Sequence, residues 1–314
     1  MLLSTIVTIY SQSKLHFICL FLGLAWIIYL IISVLTIIYR YGIRTPQNLL
    51  QRYSSGYAVI TGASKGIGRE YAYQLASKGF NLVLIARSKQ LLQKDCNAIQ
   101  LKYNVKAIPL AFDFDCEFKE QSYTELSSFL ENIDVSILVN NVGVLENGNI
   151  GTMKIEILKK QILVNTAAST IMCRIVLPRM LIREGISAIV NIGSVCSDFS
   201  LLPFTQYGAT KSFTEIMTSV MCLEHRGKID MMCVKYGPVL TDMEPVWVPG
   251  SISAESAARQ SLSQLGYESI IYGHWAHELI GLLMKYFSPI ITVLGKCLKG
   301  IVVKRLESEY KKKK

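Results

Sequence analysis

Tyr207 and Lys211 stand four positions apart in the run Gln206-Tyr-Gly-Ala-Thr-Lys211. On a helix, residues i and i+4 share one face, a single turn apart. A phenol beside an ammonium is a proton-handling pair. The cation favours phenolate, so Lys211 is expected to draw the tyrosine pKa below its ordinary value of ~10 and make the phenol a proton donor and acceptor near neutral pH. The spacing is common on helix surfaces, so its meaning depends on the elements that position it.

Those elements alternate along the chain. Tyr57–Thr61 reads as a strand, Gly62-Ala-Ser-Lys-Gly-Ile-Gly68 as a glycine turn, and 69–78 as a helix. Strands at 81–86, 105–112 and 135–139 follow, with helices at 90–103 and 118–130 between them. A long helical region, 154–181, contains Asn165; a strand at 188–192 leads to Gly193-Ser194. Tyr207 and Lys211 open the next helix, to about His225, and a sixth strand covers 230–234. Strands alternating with helices predict an α/β fold: a doubly wound parallel sheet with helices on both faces. Ligands in such sheets bind beyond the carboxyl ends of the strands. Gly62, Arg87, Asp113, Asn140 and Ser194 all fall at such ends.

The first strand, turn and helix have the chemistry of a dinucleotide site. Glycines let backbone approach a pyrophosphate, and a helix N-terminus favours its charge. Arg87 closes the second strand where an acidic residue would read a ribose 2′-hydroxyl, and Lys65 adds a second cation nearby. Two positive charges without a carboxylate favour a 2′-phosphate, hence NADPH/NADP+.

From about Gly56 to Thr241 the chain resembles the short-chain dehydrogenase/reductase family. The residues that carry this are Thr61-Gly-Ala-Ser-Lys-Gly-Ile-Gly68, Asn140-Asn-Val-Gly143, Asn165, Ser194 and Tyr207-x-x-x-Lys211, in the family's order and approximate spacing. With the apolar N-terminus and lysine-rich end, the chain is similar to the membrane-bound very-long-chain 3-oxoacyl-CoA reductase and 17β-hydroxysteroid dehydrogenase group. The resemblance implies a Rossmann-like fold. It implies that Tyr207 protonates a carbonyl oxygen, that Lys211 lowers its pKa and holds the nicotinamide ribose, and that Ser194 hydrogen-bonds the same oxygen. Ser194 and Tyr207 would thus contact the substrate, and Asn165 would position a water leading from Lys211 to solvent. Gly62, Ser64, Lys65, Gly66, Ile67, Gly68, Arg87, Asp113 and Asn140 would line the dinucleotide, with Val239 and Thr241 at its carboxamide end. Two departures bear on that loop. Tyr236-Gly-Pro-Val-Leu-Thr241 has tyrosine where the family usually has proline, and Gly193 precedes Ser194 where serine is common.

The chain is greasy: 51% of 314 residues are hydrophobic and only 18% charged. That composition points to membrane contact. Phe17–Tyr39 carries no charge and exceeds the ~20 residues a spanning helix needs. It is too long for a cleaved signal core, so a retained anchor is expected. Arg40, Arg44 and Arg52 against Lys14 place the following domain in the cytosol. Residues 279–303 are hydrophobic but interrupted by Lys285, Pro289, Lys296 and Lys299, which suits an interfacial or re-entrant segment. Lys311 and Lys312 in the terminal Lys311-Lys-Lys-Lys314 resemble a dilysine retrieval signal of the endoplasmic reticulum. The net charge of +10 has no aromatic-interleaved basic stripe, so no nucleic-acid partner is expected. Eight cysteines without a Cys-x-x-Cys pair read as reduced thiols, and His274 with His277 lacks the company a metal site needs.

Three domains are expected: an anchor and linker at 1–50, a catalytic domain at 51–272 and a hydrophobic, basic extension at 273–314. Residues 242–272 would supply the substrate loop and helices, with Met243, Pro245, Val246, Trp247, Val248 and Pro249 as its apolar cluster. The expected activity is NADPH-dependent reduction of a ketone to a secondary alcohol on a hydrophobic small molecule. Long-chain 3-oxoacyl-CoA is preferred, with fatty-acid elongation enzymes as partners, and steroid ketones are the alternative. The family commonly pairs as a homodimer through the helices carrying Asn165 and Tyr207. An idle membrane scaffold or lipid-binding protein is the reading from another class, and intact Ser194, Tyr207 and Lys211 oppose it.

Overall fold

The computed structural model describes residues 2–116, 119–199, 201 and 203–286, with side chains from His16 onward. The described residues divide into two compact units. One is Thr45–Glu278. The other includes the N-terminal helix α1, Leu2–Ile38, and residues 279–286. The expectations for 287–314, including the dilysine end, lie outside the described residues.

In the larger unit seven strands form one parallel sheet: β1 (Tyr57–Thr61), β2 (Asn81–Ala86), β3 (Ala107–Ala111), β4 (Val135–Asn140), β5 (Ser187–Ser194), β6 (Ile229–Tyr236) and β9 (Ile270–Tyr272). Their order is β3-β2-β1-β4-β5-β6-β9, so the direction in which successive strands are added reverses between β1 and β4. β7 (Val239–Leu240) and β8 (Ile252–Ser253) make a small separate pair.

Period-two alternation splits the core into two layers. Ala58, Ile60, Leu82, Leu84, Ile137 and Val139 face one side of the sheet, where Tyr71 and Leu75 of α3 (Gly66–Ser77) and Ala257 of α9 (Ala254–Leu262) pack. Val59, Val83, Leu138 and Ile189 face the other side, against Leu126 of α5 (Thr124–Glu131) and Met172 and Val176 of α7 (Ala168–Ile182). Every residue of β4 is buried, as a strand covered on both faces requires.

Local structure departs from the sequence expectation at identifiable places. α3 begins at Gly66, not at residue 69, so Gly66 and Gly68 lie in its first turn. β3 is shorter than 105–112; it contains Pro109, which cannot donate to a ladder, and lies on the sheet edge where that is tolerated. The expected helix at 118–130 is a short 3₁₀ turn, Glu120–Tyr123, followed by α5. The region 154–181 is α6 (Ile155–Ile162), a π-helical turn at Leu163–Ala167, and α7. β9 was not anticipated: it pairs Cys233↔Ile270 to Lys235↔Tyr272, where only loop and helices were expected. Three residues are too short a run for periodicity to announce.

The smaller unit holds the candidate anchor. The helix is apolar and long enough to cross a membrane over His16–Ile43, with none of its most apolar stretch buried. Trp26 and Tyr29 meet the Tyr286 ring edge-on, with centroids 6.0 and 5.7 Å away. A second stretch passes the same length and hydropathy test, Ile155–Ile182, but it is 44% buried in the larger unit and serves as a core helix.

Candidate active site

The C-terminal edges of β1 and β4 face the glycine turn. Gly62 and Gly66 hold positive φ values of +64° and +54°, which only glycine takes without strain. A Cβ at Gly68 would collide with the Asn141 carboxamide and the Gly62 carbonyl. The turn therefore presents bare backbone and the first amides of α3 to the space above the sheet, a cradle suited to a pyrophosphate. Ser64 and Ile67 are half-buried within it, and Thr241 approaches Gly66 from the far wall. The residues present fit a dinucleotide.

The two asparagines after β4 divide the work. Asn140 is buried, and its carboxamide turns into the core, donating to Asn191 Oδ1 at 2.8 Å and to Cys173 Sγ at 3.4 Å. Only its backbone lies at the sheet edge. Asn141 holds the turn: its Nδ2 donates to the carbonyls of Thr61 and Gly62, at 3.0 and 3.2 Å. Thr61 Oγ1 in return accepts from the amides of Asn141 and Val142. Sequence reading had singled out Asn140 and passed over Asn141, because strand alternation becomes unreliable where the strand ends.

Arg87 is exposed at the end of β2, and Asp113 is exposed beyond β3, where its Oδ1 accepts from the Asp115 amide at 3.0 Å. Lys65 pairs with Asp242, Nζ to Oδ2 2.8 Å, linking the glycine turn to the segment after β7. Both partners are largely exposed, so the pair contributes at most about 1 kcal/mol.

Tyr207 and Lys211 lie one turn apart near the start of α8 (Thr205–Glu224). Lys211 is buried, and its Nζ donates to the Ile192 carbonyl of β5 at 2.8 Å. It sits 5.6 Å from the centre of the Tyr207 ring. Burial pulls its pKa down to about 8. Ser194 is the last residue of β5; its Oγ accepts from the Cys196 amide at 3.2 Å.

The pKa of Tyr207 departs from expectation. Burial pushes it well above its ordinary value, Cys196 and Glu244 add to the rise, and the Ser194 hydroxyl offsets only part. Lys211 does not lower it here: its ammonium is aimed at the Ile192 carbonyl and is itself desolvated. The phenol is protonated at neutral pH and, in this environment, a weaker acid than a free tyrosine.

Asn165 lies in the π-helical turn, with its side chain fully engaged. Oδ1 accepts from the Val144 amide at 2.8 Å; Nδ2 donates to the Val144 carbonyl at 3.0 Å and to Thr210 Oγ1 at 3.1 Å. It holds the 143–144 backbone, and Gly143 lies against both the Asn165 carboxamide and Lys211 Nζ. An inserted π turn re-aims one side chain, a device common at functional sites.

Lys235 was not singled out from sequence. Buried at the end of β6, its ammonium contacts Asp198 at 2.7 Å and Glu215 at 3.3 Å. Tyr272 donates to Asp198 Oδ2 at 2.7 Å, and Ser197 to Glu215 Oε2 at 2.6 Å. These bonds fasten the turn after Ser194 to α8, the helix that carries Tyr207, and to β9. The tyrosine in place of proline is also explained. The Tyr236 ring packs against Gly273, and its hydroxyl donates to the Ala257 carbonyl at 3.1 Å while meeting Ser261 and Tyr71. It locks β6 to α9. Val239 is buried in the β7–β8 pair beside it.

This arrangement agrees with what the chain is similar to. A family model described as short chain dehydrogenase matches residues 56–250. "Putative steroid dehydrogenase 4" of Caenorhabditis elegans is 32% identical over 244 residues, covering 74% of this chain and 91% of that protein. "Very-long-chain 3-oxoacyl-CoA reductase" of Mus musculus is 30% identical over 232 residues, covering 72% and 73%. Among solved structures, a short-chain dehydrogenase from Sphingobium yanoikuyae in complex with NADPH superposes with a TM-score of 0.62 at 27% identity, covering 67% of this chain and 84% of that one. With the glycine cradle, the Tyr207–Lys211 pair and Ser194 assembled above one parallel sheet, the chain is an oxidoreductase and belongs to the short-chain dehydrogenase/reductase family.

Proposed function

We propose that this protein is an NADPH-dependent ketone reductase acting on a hydrophobic substrate, with long-chain 3-oxoacyl-CoA as the preferred class. The observation that carries the reading is Tyr207 one helical turn from buried Lys211 on α8, with Lys211 bonded to the strand whose end carries Ser194 and the glycine cradle following β1 of the same sheet.

NADPH held by the residues named below would supply the hydride for the carbonyl carbon. Tyr207 gives its phenolic proton to the carbonyl oxygen, and Ser194 hydrogen-bonds that oxygen as negative charge develops on it. Lys211 is placed to hold a ribose hydroxyl. Asn165 keeps the 143–144 backbone against Lys211. Gly62, Ser64, Gly66, Ile67 and Gly68 would seat the pyrophosphate, Lys65 and Arg87 a 2′-phosphate, Asp113 and the Asn140 backbone the adenosine side, and Val239 with Thr241 the carboxamide.

The apolar character of the substrate rests on Met243, Val246 and Trp247, which are exposed on the segment after β7 rather than packed into the core. Names of relatives support both a long-chain acyl-CoA and a steroid. The apolar N-terminal helix supports membrane anchoring, for which we infer the endoplasmic reticulum with the catalytic unit on the cytosolic side, near fatty-acid elongation enzymes. The domain division proposed is an anchor, a catalytic domain and a C-terminal extension. Phe213, Ile216, Val220 and Leu223 form an exposed apolar stripe along α8, which supports pairing of two copies through that helix.

The deciding experiment is NADPH oxidation by the full-length protein in detergent or liposomes, with a long-chain 3-oxoacyl-CoA in one arm and a 17-ketosteroid in the other. Turnover with the acyl-CoA supports the preferred class. Turnover with the steroid alone replaces it, and turnover with neither removes the substrate assignment.

A further inference from the structure

His277 lies beyond residues 56–250, outside the family's match, yet it is 1% exposed and bound to both ends of the 237–250 segment that follows β6. Its Nδ1 accepts from the Gly237 amide at 3.0 Å, and its Nε2 lies 3.1 Å from the Gly250 carbonyl. A carbonyl only accepts, so Nε2 carries the proton and Nδ1 is left bare for the Gly237 N–H. The two partners thus fix one neutral tautomer. Burial disfavours the charged ring and keeps it neutral. A Cβ at Gly237 would come within 2.8–3.2 Å of the imidazole, so the glycine and the ring fit as a pair.

The two bonded positions are the ends of one loop. Between Gly237 and Gly250 lie Val239 and Thr241, assigned above to the cofactor, and the exposed Met243, Val246 and Trp247, assigned above to the substrate. One rigid ring bonded to both ends narrows the loop's conformations before any ligand arrives, which lowers the ordering cost of binding.

We propose that His277 is a positioning residue for both ligands: through its two ring nitrogens it staples the 237–250 loop, holding the cofactor-side and apolar portions in register over the site. The inference rests on the functional reading above. Tyr207, Lys211 and Ser194 stand on α8 and β5, and none of the hydrogen bonds of His277 reaches them. Its loss should therefore weaken binding more than chemistry.

The test uses the full-length protein and its His277→Ala and His277→Asn variants. The readouts are steady-state kinetics, NADPH affinity from nicotinamide fluorescence, and chymotryptic cleavage after Trp247 without ligand, read by fragment mass. For His277→Ala, KM for the carbonyl substrate and the NADPH Kd should each rise about tenfold, with kcat within about twofold and faster cleavage after Trp247. Asn offers an oxygen near the Nδ1 position but cannot reach Gly250. His277→Asn should restore NADPH affinity while KM for the carbonyl substrate stays high. A folded His277→Ala protein with unchanged KM, Kd and cleavage, or with a loss confined to kcat, overturns the proposal. If the alanine variant does not fold, a His277→Asn protein with wild-type KM and cleavage overturns it. Failure of the wild type to bind NADPH refutes the functional reading instead, and the cleavage comparison then decides the staple on its own.

Discussion

Lys211 Nζ donates to the Ile192 carbonyl, 2.8 Å away, two residues before Ser194 on the same strand. The bond ties the helix that carries the proton donor to the strand that carries its partner, and it holds the lysine in a buried place where its pKa falls to about 8.

A pH dependence follows. In the free enzyme Lys211 loses its charge near pH 8, so kcat/KM for reduction should be level below that pH and fall above it. Lys211→Arg should move the falling limb upward, because the guanidinium stays charged. For stability the sign is opposite. Between about 8 and the ordinary 10.5 the unfolded chain binds this proton and the folded one does not, so the lysine's contribution to stability rises with pH across that window. Thermal unfolding of wild type and Lys211→Met from pH 7 to 10 should show the wild type gaining on the variant above pH 8.

Removing the acid should cost rate and spare the cofactor. Tyr207→Phe is expected to lower kcat by about 10²–10⁴ with NADPH affinity near wild type. Ser194→Ala should cost about 10²–10³, the scale of one lost oxyanion donor. Stopped-flow hydride transfer with fluorescence binding checks both; full turnover by Tyr207→Phe would remove the phenol from the mechanism.

Arg87 and Lys65 offer the charge expected to read a 2′-phosphate. Arg87→Asp places a carboxylate against that phosphate, and like charges in such proximity cost several kcal/mol. The variant should lower kcat/KM for NADPH at least about tenfold and shift preference toward NADH. Unchanged preference would mean that Arg87 is only a solvated strand end.

Gly273 faces the ring of Tyr236, and a Cβ there would overlap it. Gly273→Ala should destabilise the catalytic unit by about 3 kcal/mol, at the upper end of overpacking costs. Combining it with Tyr236→Ala should recover part of that loss, since the two changes share one space. Thermal shifts of the single and double variants measure the coupling; strict additivity would show that the two residues do not meet in solution.

Much of the machine was legible because it rests on local rules. Alternating buried strands, glycines ahead of a helix, and a Tyr and Lys on one helical face follow from backbone periodicities of two and 3.6 residues, which neighbours in sequence determine. They located the sheet, the cradle and the proton-handling pair by number. Which way Asn140 and Asn141 turn, the π insertion that aims Asn165, and the short strand β9 depend on what packs alongside.

The sign of the Tyr207 shift shows the difference most clearly. Sequence placed a cation one turn away and predicted a lowered pKa; the folded chain shields the half-buried phenol from water, turns the ammonium to a backbone carbonyl, and raises it. Desolvation depends on every atom that excludes water, whereas spacing reports only one neighbour. In the same way Lys235 finds Asp198, Glu215 and Tyr272, and His277 finds both ends of the 237–250 loop. The sequence by itself determined which residues could do the chemistry and on which elements they stand. Their protonation, and the partners that hold them still, were decided only when distant parts of the chain packed together, because burial and long-range hydrogen bonds exist only in the folded state.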